Sequence, residues 1–202
     1  AGKSTVQKIL AAMVGKENVT SFNLEKLASE FGLSPLVGKS LALISEVELS
    51  GSRNQSQITE QFKALVGGDE VLINRKHEAE MLTLRLPIKF CIATNSIPRL
   101  RDSTGALQAR CMYIPFRMSF AGREDIKLEE KLLRELPGIA NWALTGLVRL
   151  RANGGKFTCG PNQMESAKAH AADTSPVLQW IKEEVILHES LSSGQLPQDG
   201  LT

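Results

Sequence analysis

Ala1-Gly2-Lys3-Ser4-Thr5 decides how the rest of the chain is read. It is the second half of the phosphate-loop pattern G-x-x-x-x-G-K-[ST]. At Gly2 the backbone can approach a phosphate where a side chain would collide with it. The Lys3 ammonium can reach β- and γ-phosphates, and the Ser4 hydroxyl can ligate Mg²⁺. Gly2, Lys3, Ser4 and Thr5 are therefore the candidate nucleotide-binding residues, with ATP and Mg²⁺ the expected ligands. Val6, Ile9, Leu10 and Met13 recur at helical spacing over residues 4–14, so the positive end of a helix would face the anion. A phosphate loop follows a strand, and none precedes Ala1. The chain reads as an N-terminally truncated piece of a longer protein.

At 202 residues, 42% hydrophobic and 23% charged, the expectation is one soluble domain with an appended piece. A net charge of +2 is too small to imply nucleic-acid binding by itself, so a DNA site must be a local patch. No apolar run has signal-peptide or membrane-spanning length, which predicts no export, no membrane partner and a cytoplasmic protein. Cys91, Cys111 and Cys159 show no metal or redox spacing; two fall in apparent strands, and buried reduced thiols are expected. His77, His170 and His188 show no ligand spacing either.

Outward from the opening motif, Leu24, Leu27, Ala28 and Phe31 predict a short amphipathic helix stopping at Gly32. Leu41-Ala42-Leu43-Ile44 is a continuous apolar run of strand length. Residues 57–66 read as a helix, and Val71-Leu72-Ile73 as a short strand with residues 82–86 as its return partner. Residues 88–94 form a second buried strand, and an apolar segment covers 107–116. From Ile126 the pattern is helical through Leu150, broken at Pro137-Gly138, and 161–172 is another helix. Ser175-Pro176 can start one more, to about His188. The Ser-, Gly-, Gln- and Pro-rich end reads as a disordered tail. Helices alternating with buried strands predict an α/β fold, a parallel sheet covered on both faces, followed by a helical portion. The expected boundaries are 1–153 for the core, 154–189 for a helical segment leading into a C-terminal extension, and 190–202 for the tail.

Three residues then stand in the order an ATPase needs. Glu46 follows the 41–45 run, at the strand edge where open α/β sheets bind ligands; it can hold Mg²⁺, orient the attacking water, or both. Glu48 is the weaker alternative. Asn95 ends Phe90-Cys91-Ile92-Ala93-Thr94, where a neutral amide can bond the γ-phosphate or its water. Arg110, after a short helix over 103–109, can reach a neighbouring subunit's phosphate, with Arg123 competing for that role. Gly38-Lys39-Ser40 imitates a phosphate loop, but five residues separate Gly32 from Gly38 and the segment precedes a strand, so it is rejected. Between the acid and Asn95, Asn74-Arg75-Lys76-His77 forms a basic tip between two short strands. A hairpin there places Arg75 and Lys76 on a DNA backbone.

The set of motifs resembles the phage/plasmid DNA primase–helicase family over roughly residues 1–190. The residues that carry the likeness are Leu36-Val37-Gly38-Lys39 leading to Glu46, Ile73-Asn74-Arg75-Lys76, Thr94-Asn95-Ser96-Ile97-Pro98-Arg99-Leu100, Gly105-Ala106-Leu107 with Arg110, Ser119-Phe120-Ala121-Gly122-Arg123-Glu124-Asp125, and Leu136-Pro137-Gly138-Ile139-Ala140-Asn141-Trp142-Ala143. The resemblance implies a P-loop NTPase of AAA+ type, a superfamily-three helicase module. It makes Lys3 and Ser4 the Walker A end, Glu46 the Walker B acid, Asn95 sensor one, Arg110 the arginine finger, and Arg75 and Lys76 the DNA-contacting hairpin. It also implies a ring, hexameric by analogy, that unwinds a replication fork with primase regions upstream. The rival readings are a helicase-loader ATPase, and a fragment that only assembles or binds DNA.

Overall fold

The computed structural model describes residues 2–45, 47, 54–76, 78, 80–95, 100 and 105–174, the last seven of these by helical path alone. Glu46, Glu48, His77 and residues 96–99, 101–104 and 175–202 lie outside the described residues. The readings of an acid at Glu46 or Glu48, a helix from Ser175-Pro176 and a tail over 190–202 fall there.

The chain begins with helix α1 (Lys3–Val14), then strand β1 (Val19–Ser21) and strand β2 (Leu41–Ser45). Helix α2 (Gln55–Gly67) leads to the hairpin β3 (Glu70–Ile73) and β4 (Leu82–Arg85), and then to β5 (Lys89–Ala93). Helices α3 (Leu128–Arg134), α4 (Leu136–Ala152) and α5 (Pro161–Thr174) follow.

The sheet is parallel, in the order β1-β2-β5. Leu41 pairs with Lys89 and Ser45 with Ala93, while Val19 pairs with Leu41. Strand side chains alternate faces. Ala42 and Ile44, with Phe90 and Ile92 beside them, enter the main core with Phe22, Leu24, Leu36, Ile58 and Phe62. Phe90 meets Phe62 edge-on at 5.1 Å between ring centroids, a favoured aromatic geometry. The opposite face, carrying Leu43, Ser45 and Cys91, is covered by α1. Both faces are thus clothed, which is why β2 reads as an unbroken apolar run.

Several elements differ from expectation. β1 was not read, because three residues are too few to show a period. The segment 24–28 is a 3₁₀ turn rather than an amphipathic helix: Asn23 caps it through the Glu25 amide, and it ends at Ser29. A Cβ on Gly32 would run into the Lys26 carbonyl, so that glycine closes the turn. The rejected Gly38-Lys39-Ser40 segment leads directly into β2. Near Pro137 the helical break falls at Glu135, with Pro137 in the first turn of α4, where its missing N–H costs nothing. Cys91 lies in β5 and is half-buried, but Cys111 is in no strand, and both Cys111 and Cys159 are exposed.

Candidate nucleotide-binding site

α1 starts at Lys3, with Gly2 before it at a φ of 92°, a left-handed conformation that favours glycine. Among the described residues no side chain caps this end, and no acid lies in the first turn. The first helical amides, Lys3, and the hydroxyls of Ser4 and Thr5 are all donors. That donor set suits an anion rather than a cation. Phe116 lies beside Gly2, 3.6 Å from where a Cβ would sit.

Lys3 turns toward the end of β5. Its Nζ donates to the Thr94 carbonyl at 2.7 Å and to the Asn95 Oδ1. Two sequence-predicted residues, 92 positions apart, therefore meet at the C-terminal edge of the sheet. β2 ends beside β5 at the same level, so Ser45, the residue before Glu46, shares that edge.

A buried residue of this region escaped the sequence reading. Gln7, one helical turn after Lys3, is only 4% exposed, whereas Val6, expected on the apolar face, is 42% exposed. The Gln7 Nε2 donates to the Ile44 carbonyl at 3.0 Å and to the Cys91 carbonyl at 2.9 Å. Its Oε1 accepts from the Ser45 hydroxyl at 3.1 Å. Burial pushes the Cys91 thiol above its ordinary value, opposed by its hydrogen bond with Gln7. The i, i+4 spacing of Lys3 and Gln7 was the available signal, since such pairs share a helix face; hydrophobicity alone pointed to Val6.

Arg110 closes a 3₁₀ turn over Gln108–Arg110, exposed, with its Nη1 donating to the Ala106 carbonyl at 2.9 Å. The expected longer helix over 103–109 is not what the described residues form: the turn spans three residues. Neither Arg110 nor the exposed Arg123 shares a hydrogen bond or ion pair with Lys3 or Asn95 among the described residues. At the hairpin tip, Lys76 is exposed, while Arg75 is half-buried and ion-paired with Glu78. Asn74 donates to Glu30 at 2.9 Å, tying the base of the tip to the segment before Gly32.

Among the described residues no cluster of three or more His, Cys, Asp or Glu could hold a metal ion, and no helix is long and apolar enough to cross a membrane. A Mg²⁺ held by one hydroxyl, one carboxylate, phosphate oxygens and waters needs no such cluster.

A family model described as "Family of unknown function (DUF5906)" matches residues 1–110, the stretch that contains the candidate site residues from Gly2 to Arg110 but not Arg123. Among solved structures, the chain is similar to the apo A form of the C-terminal region of NrS-1, at 18% identity and a TM-score of 0.54. The likeness covers 90% of this chain but only 42% of that one. At that identity it speaks for the fold alone, a small parallel sheet with flanking helices.

Proposed function

The chain belongs to the DUF5906 family, whose function is unknown, and from that premise we propose that it is the ATP-driven motor module of a DNA-replication protein of the primase–helicase kind. The observation that carries the reading is the meeting of Lys3 with Thr94 and Asn95 at the uncapped start of α1. In this reading Gly2, Lys3, Ser4 and Thr5 hold the phosphates of ATP, and Ser4 with Glu46 holds Mg²⁺. Bound Mg²⁺ supplies charge neutralisation at the transferring phosphate. Asn95 orients the γ-phosphate or its water, and Lys3 leaves the strand end for the phosphates. Arg110 acts across a subunit boundary in a ring, proposed to be hexameric, with Arg123 as the other candidate. A head-to-tail ring is supported by the apolar surface of the helical portion: Ile126 is 96% exposed and Trp142 77%.

Lys3→Ala in the full-length protein tests the reading. Removing a cation from transferring phosphate is expected to lower ATP turnover about a hundredfold or more. Wild-type turnover in that variant removes Lys3 from the site and ends the proposal. Turnover without strand displacement on a forked substrate would favour the loader over the helicase. At the hairpin, Lys76→Ala is expected to reduce the salt dependence of single-stranded DNA binding by ~0.7 in slope, one phosphate contact. Arg75→Ala should reduce it by less, because Glu78 already neutralises that guanidinium. An unchanged slope in both variants makes the tip a solvated turn.

A further inference from the structure

We propose that Gln7 is a positioning residue that sets α1, and with it the Lys3 ammonium, in register with the ends of β2 and β5. This rests on the ATPase reading of the same site. Among the described residues the buried polar side chains are Gln7 and Thr59. Thr59 bonds back to the Gln55 carbonyl of its own helix at 2.8 Å. Gln7 instead ties three elements together. Its amide hydrogens are divided between a carbonyl of β2 and a carbonyl of β5, so the group sits over the seam of the two strands. The acceptor end of the same amide takes the hydroxyl of Ser45.

Mere attachment of α1 would not need an amide. A buried Leu or Met would pack there with no polar group to satisfy, and apolar contacts tolerate sliding. Hydrogen bonds do not: they weaken with about half an ångström of displacement or a few tens of degrees of tilt. Three bonds from one planar group therefore fix the translation and rotation of α1 on the sheet. The pin lies close to Lys3 and to the ends of β2 and β5. Lys3 is one turn away along α1, about 6 Å at 1.5 Å per residue. Glu46 adjoins Ser45 in sequence, and Asn95 is four residues beyond Cys91. A shift at Gln7 moves the cation against the strand-tip amide.

The test is Gln7→Met in the full-length protein, with kcat taken per folded molecule well below Tm and nucleotide affinity measured separately. Met keeps the volume and removes all three bonds. The expected result is a kcat lowered about tenfold or more, with nucleotide Kd within about threefold, since misplacement by about 1 Å costs on the order of a hundredfold in rate. In Gln7→Glu the carboxylate faces two carbonyl oxygens without a proton to donate. Its kcat relative to wild type should rise as pH falls and the carboxyl protonates. A folded Gln7→Met with wild-type kcat overturns the proposal, and so does a loss confined to Tm. If Gln7→Met does not fold, Ser45→Ala decides, because it removes one of the three bonds and leaves the two from the Gln7 amide hydrogens to the Ile44 and Cys91 carbonyls in place. A kcat lowered about threefold supports positioning; an unchanged kcat makes Gln7 a folding residue only. Lys3→Ala separates the two readings. If it turns over ATP normally, the nucleotide site itself is wrong; if it is dead while Gln7→Met is normal, only the role of Gln7 falls.

Discussion

The chain up to Leu107 and the chain beyond it treat apolar residues in opposite ways. Before that point, Leu24, Leu36, Ile44, Ile58 and Ile73 are sealed from water, and α1, α2 and the hairpin close over the sheet. After it, no residue with a described side chain is buried, and Ile114, Met118, Ile126, Trp142, Leu144 and Val148 all stand in solvent. α3 and α4 touch α1, and Lys8 pairs with Glu129 at 2.5 Å. That pair is exposed and contributes little. The difference teaches where stability resides. Burying a large aliphatic side chain is worth about 1.5–3 kcal/mol, and the described contacts collect that gain almost wholly in the first half.

The largest way to break the comparison is a matched pair of truncations. Leu24→Ala is expected to destabilise by about 2–5 kcal/mol, as for other fully buried leucines. Trp142→Ala in α4, a larger deletion at an exposed site, should change the stability of the isolated chain by less than about 0.5 kcal/mol. Urea unfolding of both variants checks this. A loss of several kcal/mol at Trp142 would mean that the helical portion buries more than it shows here.

Cysteine chemistry sharpens the contrast at a smaller scale. Cys111 and Cys159 belong to the open region, and Cys91 to the packed one, where burial raises its thiol above the ordinary value. A thiol-reactive dye should label the first two rapidly and Cys91 at least about tenfold more slowly, because thiolate fraction and access both fall. Gln7→Met should raise the Cys91 thiol further by removing the hydrogen bond that opposes burial. Three equal labelling rates would show that α1 does not cover this face of the sheet.

The smallest effect is at the entrance to α3. Asp125 is held below its ordinary value of 3.8, first by its hydrogen bond to Lys131 and also by the Lys127 amide. A carboxyl depressed by folding stabilises above its unfolded value and loses that contribution as pH falls through the lowered one. The stability difference between wild type and Asp125→Asn should therefore be constant above pH 3.8 and close below it. A difference that persists into stronger acid would assign the effect to local geometry rather than charge.

Much of the first half was legible because its signals are local and dense. The apolar run of β2 marks a strand covered on both faces, and the Gly-Gly end of α2 marks a helix stop: Gly68 takes a left-handed φ of 77°. The β3–β4 hairpin follows from two short apolar strands around a polar tip. What escaped was short or inverted. β1 has three residues, residues 24–28 wind as a 3₁₀ turn of five residues that ends at Ser29, and the helical phase of α1 buries Gln7 while leaving Val6 outside.

By itself the sequence determined the chemical inventory: a Gly-Lys-Ser-Thr opening, an amide following one apolar strand, an acid following another, and a basic tip between them. Types and spacings suffice for that, since each group's donors, acceptors and charge are intrinsic. Only the tertiary structure decided which of these groups meet. It brought Lys3 to Thr94 and Asn95, set β5 directly against β2, and gave Arg75 to Glu78 while leaving Lys76 exposed. It also turned Gln7 into a buried link between a helix and two strands. Arg75 and Glu78 are only three residues apart, but no local pattern encodes the partners of Lys3 and Gln7, because they lie tens of residues away and a buried polar group finds its partner within the protein only when packing excludes water.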